Sequence, residues 1–366
     1  MTGAIPAGAL HAVPVDAASA AAWDEIAATS PDAWFWHTTD WLRFVKALGA
    51  AAFVDDRSFF LYQDRELLAI CPLIVEAREG YRRFTYLGEF LPAPAFAPAV
   101  DAGTRARALD WYAGCLDRLA VEHGVAYTKT IVPVLAERQH GWNPLLKSGY
   151  VDVSGPTQII NLAPPEADLW RDVRKGHRSD IKKAMARCQI TAWTKDNITS
   201  AVFDAYREVH ARDAGRVTRA PETFELMLDW IRRDLAVLLE ARAGDRPAAF
   251  ALVLYYRGSA YYASSCKDPD FVEIPTMHLV QWEAMRWLKA RGISRYDIGA
   301  QHFGPRWDYI ASPKERSIAA FKRGFGGETT RVDLVEKFYS ADVLAEVGAE
   351  RVQRLVADRQ TPVASN

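Results

Sequence analysis

Tyr296-Asp297-Ile298-Gly299-Ala300-Gln301, followed by Ile318-Ala319-Ala320-Phe321-Lys322-Arg323-Gly324-Phe325-Gly326-Gly327-Glu328, is the stretch on which the reading of this chain turns. The first segment has the make-up of a short buried strand, with Asp297 set between apolar Tyr296 and Ile298. The second reads as a short helix with a glycine-rich exit. In that helix Phe321 is expected to face the core and Lys322 to face outward, beside Gly324, Gly326 and Gly327. A cation and several exposed backbone N–H groups near a strand end can hold an anion or a developing oxyanion. A plainer role for Lys322 stays open, that of a C-terminal lysine offsetting the helix dipole before a glycine cap.

The residues around this core supply further candidates. Asp297 has the residue type to position or deprotonate an amine, and equally that of a strand-end hydrogen-bond acceptor. Gly299 and Gln301 follow it at the strand end, where mixed sheets commonly place site groups. His302 is a candidate base by residue type, and Arg306 and Asp308 lie close behind. Upstream, a strand ends in Tyr262-Ala263-Ser264-Ser265, and Pro275-Thr276 opens a helix. Thr276 and the first N–H groups there suit an anion, or are simply helix-start residues. Ser264 joins it as a candidate cleft residue.

A single helix is expected over Glu166 to Cys188. Arg174, Arg178 and Lys182 recur on it every four residues and form a basic stripe, with Lys175 beside them. That stripe suits the phosphates of a polyanion, such as a tRNA backbone, a nucleotide or CoA, or it is a solvated helix face. Near the start, Thr38-Thr39-Asp40 caps a helix over Trp41 to Leu48, and Trp41 is a further candidate cleft residue.

The rest of the chain alternates strands, hairpins and helices, which makes the fold class α/β (mixed α+β). Hairpin strands are expected at Ser58 to Tyr62 and Leu67 to Val75, and a long helix at Thr104 to His123. Three consecutive strands follow at Ala236 to Ala241, Ala248 to Tyr256 and Ser259 to Ser265. A helix over Met277 to Arg291 should bury Leu279, Trp282, Met285 and Leu288, and a strand over Arg295 to Gly299 comes next. Each half runs through helices, antiparallel strands, a helix and a strand, a weak repeat of about 160–180 residues that suggests a duplicated domain. Pro164-Pro165 marks the division, giving domains over 1–162 and 163–366.

At 366 residues, with 49% hydrophobic and 25% charged residues, the chain has the balance of a globular protein with an ample core. Lys+Arg is 45 and Asp+Glu is 46, so net charge predicts no polyanion partner and any such site must be a local patch. Cys71, Cys115, Cys188 and Cys266 are widely spaced and form no CxxC, which reads as reduced thiols in a cytoplasmic protein. No metal is expected, because the histidines show no HExxH and the cysteines no ligand spacing. Gly-x-Ser-x-Gly, the Walker lysine motif and GxGxxG are all missing, so no cofactor is predicted. No run of about 18 apolar residues is present, so no integral membrane segment is expected. Met1 to Ala20 lacks a basic start and a long apolar run, and a signal peptide is not expected.

The Phe321-Lys322-x-x-Phe325-Gly326 ending and the Arg/Lys-rich opening of the second half resemble the Fem-type and BioF2-like group of tandem acetyltransferase-like (GNAT) proteins. The likeness spans roughly 165–335 well and the first half more loosely. There, His37-Thr38-Thr39-Asp40-Trp41 is a partial match to a Gln-Ser-x-x-Trp segment, and Val45 with Arg43 and Lys46 nearby departs from the phosphate-contacting lysine that follows it. The Tyr86-Leu87-Gly88 strand end is closer to the BioF2-like branch, and the long coiled-coil insertion of some Fem proteins is missing. So is the Arg/Gln-x-x-Gly-x-Gly/Ala loop by which ordinary GNAT enzymes hold CoA.

The resemblance implies tandem GNAT-like domains, each a twisted mixed sheet flanked by helices. It implies amide-forming transfer of an aminoacyl group from aminoacyl-tRNA to an amine-bearing acceptor, a cell-wall precursor or small natural product. It also implies roles for Lys322 in catalysis, with Asp297 or His302 as proton acceptor. Two alternatives stay open: acyl-CoA-dependent N-acylation in polysaccharide or lipid synthesis, and a non-catalytic GNAT-like binding module.

Overall fold

Helix starts and stops follow local chemistry. Asp101 caps the helix Ala102–His123, its carboxylate accepting from the N–H groups of Gly103 and Thr104, and Gly124 ends it in the left-handed region. Thr38 caps Thr39–Leu48 by accepting from the Trp41 N–H, as its sequence predicts. The computed structural model describes residues 8–86, 90–139 and 143–360. Leu87 and Gly88, part of the expected BioF2-like strand end, lie outside the described residues.

The chain divides into two units. One takes the described residues within 1–155, 302–312 and 331–366, the other those within 156–301 and 313–330. The first passage between them, at Gly155/Pro156, falls just before the expected division at 162/163.

In the first unit, one sheet has the strand order Glu328–Phe338, Val125–Val132, Tyr81–Phe84, Ile74–Arg78, Phe53–Asp56. A four-stranded sheet combines Leu10–Pro14, Phe59–Gln63, Glu66–Cys71 and Ala95–Phe96. The long strand expected over Leu67 to Val75 is two strands, ending at Cys71 and restarting at Ile74 in the other sheet. Pro72 is the reason: it has no N–H to give a ladder, and a strand that must turn is where proline is tolerated. The core under these sheets includes Leu61, Ile74, Phe84, Tyr112 and Leu116. The segment after the glycine-rich exit, to which the sequence reading assigned nothing, forms the strand Glu328–Phe338 and the helix Ala341–Gln360.

In the second unit the order is Gln189–Trp193, Ala236–Ala243, Arg246–Tyr256, Ser259–Lys267, Arg295–Ala300, Gly155–Asn161. All neighbours are antiparallel except Ser259–Lys267 with Arg295–Ala300, which run parallel across the helix Thr276–Ala290. That helix buries Leu279, Trp282, Met285 and Leu288, the face expected from its spacing. The first unit carries the same device: Tyr81–Phe84 runs parallel to Val125–Val132 across Ala102–His123. A parallel pair needs a crossover of this kind, so each unit holds one strand–helix–parallel-strand passage inside a mixed sheet. The α/β tandem architecture is as expected.

The single helix expected over Glu166 to Cys188 is two, Glu166–Asp172 and Lys175–Met185. Arg174 between them has extended backbone angles, and its N–H donates to the Gly324 carbonyl. This tertiary hydrogen bond outweighs the helical spacing of the charges.

Candidate functional site

The site candidates gather where two parallel strands part. Ser259–Lys267 and Arg295–Ala300 are paired at Ser259↔Arg295, Ala260↔Tyr296 and Tyr261↔Asp297, and no further, although both strands continue. Asp297 therefore sits at the fork. Each strand is also irregular there: the pairing of Gly155–Asn161 steps from Gly299 to Asp297, skipping Ile298, and that of Arg246–Tyr256 steps from Tyr262 to Ser264, skipping Ala263. Bulges of this kind re-aim side chains and are frequent beside sites.

Asp297 is 5% exposed. One carboxylate oxygen accepts from the Thr157 hydroxyl at 2.6 Å and from the Gly299 N–H at 2.8 Å. Burial pushes its pKa up to about 6; these two bonds and the Lys322 charge pull the other way. Gly299 has φ +112°, and a Cβ there would collide with the Lys322 ammonium. The positive φ favours glycine, and Lys322 lies against the strand backbone in the space a Cβ would take. Its Nζ is also 6.0 Å from the centre of the Tyr262 ring. Lys322 was expected to face outward; it is half-buried and turned onto the strand, and burial lowers its pKa while Asp297 opposes that shift.

Lys322 is placed by the last turn of the helix Pro313–Arg323. Phe321 packs partly buried against the core, as expected. Arg323 donates to the Gln301 side chain at 2.8 Å, and Gln301 in turn donates to the Gly299 carbonyl at 3.1 Å. Lys322, Asp297, Gly299 and Gln301 thus form one group with Thr157 and Tyr262.

The other candidates have separate settings. Ser264 is committed to the buried Tyr206 hydroxyl, which donates to it at 2.8 Å. Thr276 is fully buried at the first turn of Thr276–Ala290, and its hydroxyl has no hydrogen-bond partner among the described residues. A cavity of about 360 Å³ opens at that helix start, lined by Lys183, Lys267, His278 and Phe321 among others. His302 and Trp41 belong to the first unit. The His302 ring lies over Tyr309, and Trp41 packs among Phe35, Trp36 and Phe44.

The basic segment does not present a uniform stripe. Arg178 donates to the carbonyls of Trp170, Arg171 and Val173 and so closes the helix Glu166–Asp172. Arg174 donates to His177 Nδ1 at 3.2 Å. Lys175 and Lys182 stay exposed.

Sequence reasoning did not select Thr157, His177 or His278. His177 is 1% exposed, touches His278 edge-on at 4.5 Å and bonds to the Phe321 carbonyl at 2.9 Å. A histidine in a run of arginines and lysines was the one available signal. Among the described residues, no cluster suits a metal and no helix is long and apolar enough to cross a membrane. All four cysteines are buried and unpaired, and burial raises their thiol pKa values.

Residues 171–309 match the family described as an acetyltransferase (GNAT) domain. No curated protein matches the chain in sequence. Among solved structures, the chain is similar to FemX, with 13% identity and a TM-score of 0.65 over 92% of this chain and 99% of the other. It is also similar to L-PGS from Bacillus licheniformis, with 12% identity and a TM-score of 0.56 over 91% and 96%. A protein of unknown function from Bacteroides thetaiotaomicron aligns with 10% identity and a TM-score of 0.56 over 90% and 99%. The expected likeness to Fem-type tandem GNAT proteins stands at the level of fold, and the domain match supports acyl transfer as the general chemistry.

Proposed function

We propose that the chain forms amides by direct acyl transfer at the strand fork of its second unit, with an aminoacyl group on tRNA as donor and an amine as acceptor. The carrying observation is the Lys322 ammonium held against Gly299 beside a buried Asp297 whose pKa sits near 6. The acceptor nitrogen attacks the donor's ester carbonyl carbon to give a tetrahedral oxyanion, whose collapse breaks the carbon–oxygen bond to the donor. Lys322 stabilises the oxyanion in a site largely shielded from water, where a fixed charge acts strongly. Asp297, ionised above about pH 6, takes the amine proton. The leaving alkoxide takes a proton from solvent. The raised thiol pKa values give no support to a cysteine nucleophile.

The cavity at the start of Thr276–Ala290 carries Lys183 and Lys267 on its wall beside Asp180 and Glu273. Lys183 is already paired to Asp180 at 2.9 Å, so Lys267 and the first helix N–H groups are the part that suits a donor phosphate. Lys175 and Lys182 add exposed charge for a longer polyanion. The division into 1–162 and 163–366 is kept as the parsing of two GNAT-like copies, supported by the parallel crossover in each unit. An acyl-CoA donor is the second reading, favoured by the acetyltransferase domain match; its carbon–sulfur bond would break at the same fork.

The test is a donor competition. Radiolabelled aminoacyl-tRNA and acyl-CoA are each offered with a panel of amines, and transfer of label is followed. Consumption of aminoacyl-tRNA alone supports the first reading and consumption of acyl-CoA alone the second. If neither donor is consumed or bound, the chain is a binding module of GNAT-like fold and the catalytic reading is wrong.

A further inference from the structure

We propose that His177 is a positioning residue that fixes Lys322 through the carbonyl of the residue before it. The catalytic consequence rests on the acyl-transfer reading above; the placement of the lysine does not.

Lys322 sits in the last turn of its helix, whose carbonyls are met by tight turn bonds, the Gly324 N–H donating to the Phe321 carbonyl at 3.0 Å and the Phe325 N–H to that of Lys322 at 3.2 Å. His177 adds a side-chain anchor at the same Phe321 carbonyl. Its Nε2 lies 2.9 Å from the Phe321 carbonyl oxygen, and its Nδ1 lies 3.2 Å from Arg174 Nη2. A guanidinium can only donate, so Nδ1 is the acceptor nitrogen. The proton is then on Nε2, aimed at the carbonyl, and the neutral ring is set in one tautomer by both partners.

The exit turn is shaped around this ring. A Cβ at Gly324 would collide with His177 Nε2, so the glycine lets the chain close on the imidazole. The Arg174 N–H binds the Gly324 carbonyl at 2.8 Å, a second clamp from the same segment. Gln158 holds the Gly326 carbonyl at 2.7 Å. Phe321, Phe325 and His278 surround the ring, with centres 5.5, 4.9 and 4.5 Å away. The charged and titratable groups facing this pair are Arg174, Asp180, Lys267 and the two histidines themselves. Burial lowers the pKa of His177, and it lowers that of His278 to about 4. A neutral, singly oriented imidazole is what the hydrogen bonds require. The basic segment thereby gains a role that its charge alone did not suggest: it grips the turn that carries the lysine.

The test reads Lys322 directly. Acetic anhydride labels amines in proportion to their free-base fraction, and peptide mass spectrometry follows Lys322 alone across pH. In the native chain Lys322, partly buried, is expected to titrate below an ordinary lysine. In His177→Phe its titration shifts toward that of an exposed lysine, and His177→Gln, which keeps a donor for the carbonyl and an acceptor for Arg174, restores most of the native profile. Should His177→Phe fail to fold, Arg174→Ala removes an exposed side chain and frees the tautomer, and a smaller shift in the same direction is expected. Once a donor is identified, His177→Phe is expected to lower kcat roughly 10- to 10²-fold, the scale of a misplaced catalytic group, with KM little changed. An unchanged Lys322 profile in both His177→Phe and Arg174→Ala overturns the proposal. If Lys322→Ala keeps full turnover, the acyl-transfer role of the lysine fails, while the labelling still decides whether His177 positions it.

Discussion

Glu336 in the first unit and Asp297 in the second are both deeply buried, at 1% and 5% exposure, and both act on a nearby cation. Their surroundings differ in kind. Glu336 receives both arms of the Arg351 guanidinium, at 2.5 and 2.8 Å, and the Tyr127 hydroxyl at 3.0 Å. A planar fork on a carboxylate satisfies charge and geometry together and leaves nothing to do but hold. Asp297 receives two neutral donors, the Thr157 hydroxyl and the Gly299 N–H, and its cation is a lysine packed on glycine backbone. Burial raises the Asp297 pKa to about 6 and lowers that of Lys322, and a point charge on a flexible stem offsets these shifts only in part. The two sites separate a carboxylate that ties the helix Ala341–Gln360 to its sheet from the one proposed above to take up the amine proton.

The largest effect is expected at the static pair. Arg351→Ala leaves Glu336 buried without its cation and is expected to cost about 3–5 kcal/mol, read as a lower denaturant midpoint. A loss under about 1 kcal/mol would rank the pair with surface ion pairs and erase the contrast. Next comes Lys322→Ala, expected to lower turnover roughly 10²–10³-fold, the scale of one lost oxyanion donor, with a smaller stability loss than Arg351→Ala because Asp297 can take up a proton when its cation is removed. Lys322→Arg should recover only part, because the larger guanidinium does not seat on Gly299 as an ammonium does. Full turnover in Lys322→Ala would remove this residue from the mechanism; a collapsed melting temperature would make it a structural lysine like its counterpart Arg351.

Asp297→Asn tests the same contrast through pH. The folded-state pKa of about 6 lies above the ordinary aspartate value, so the folded chain holds this proton more tightly than the unfolded one. That stabilising contribution is complete below about pH 4 and lost as pH rises through 6, leaving a cost of up to about 3 kcal/mol for the ionised group. Asparagine carries no such cost. Urea unfolding should therefore show Asp297→Asn gaining on the native chain between pH 4 and 8, while native turnover rises through about pH 6. A stability difference that stays flat over that range would show that Asp297 titrates as an ordinary carboxyl.

Much of the second unit was legible because its signals are local. The Leu279/Trp282/Met285/Leu288 face gives the crossover helix, and the Asp297–Gly299 alternation gives the strand. Phe321-Lys322 before a run of glycines locates the turn. What the sequence hid depends on partners remote along the chain. Helical spacing over 166–188 is continuous, and only the Gly324 carbonyl, met by the Arg174 N–H, reveals the break. Thr157 lies 140 residues from the carboxylate it binds. The inward turn of Lys322 depends on the positive φ of Gly299, and a glycine in a strand pattern does not state which side chain will fill the space it leaves.

The smallest effects divide the basic segment itself. Arg178 and Lys182 are one helical turn apart and look equivalent as sequence. In the fold, Arg178 spends its guanidinium on three carbonyls at 2.7 to 3.3 Å, whereas Lys182 is exposed and carries no ion pair among the described residues. Arg178→Ala is expected to cost about 1 kcal/mol, since carbonyls near the surface recover part of their bonding from water. Lys182→Ala should stay within about 0.5 kcal/mol of the native chain. Donor binding should sort them in the opposite order. A Lys175→Ala, Lys182→Ala double variant should weaken a polyanionic donor and make the log-affinity against log-salt slope shallower by about one to two. Arg178→Ala should leave that slope unchanged, because its charge is already committed. Equal slopes in the native chain and the double variant would reduce the exposed lysines to a solvated face. A shallower slope in Arg178→Ala would mean that the donor competes successfully for the guanidinium, and that closing the helix Glu166–Asp172 is a resting arrangement given up on binding.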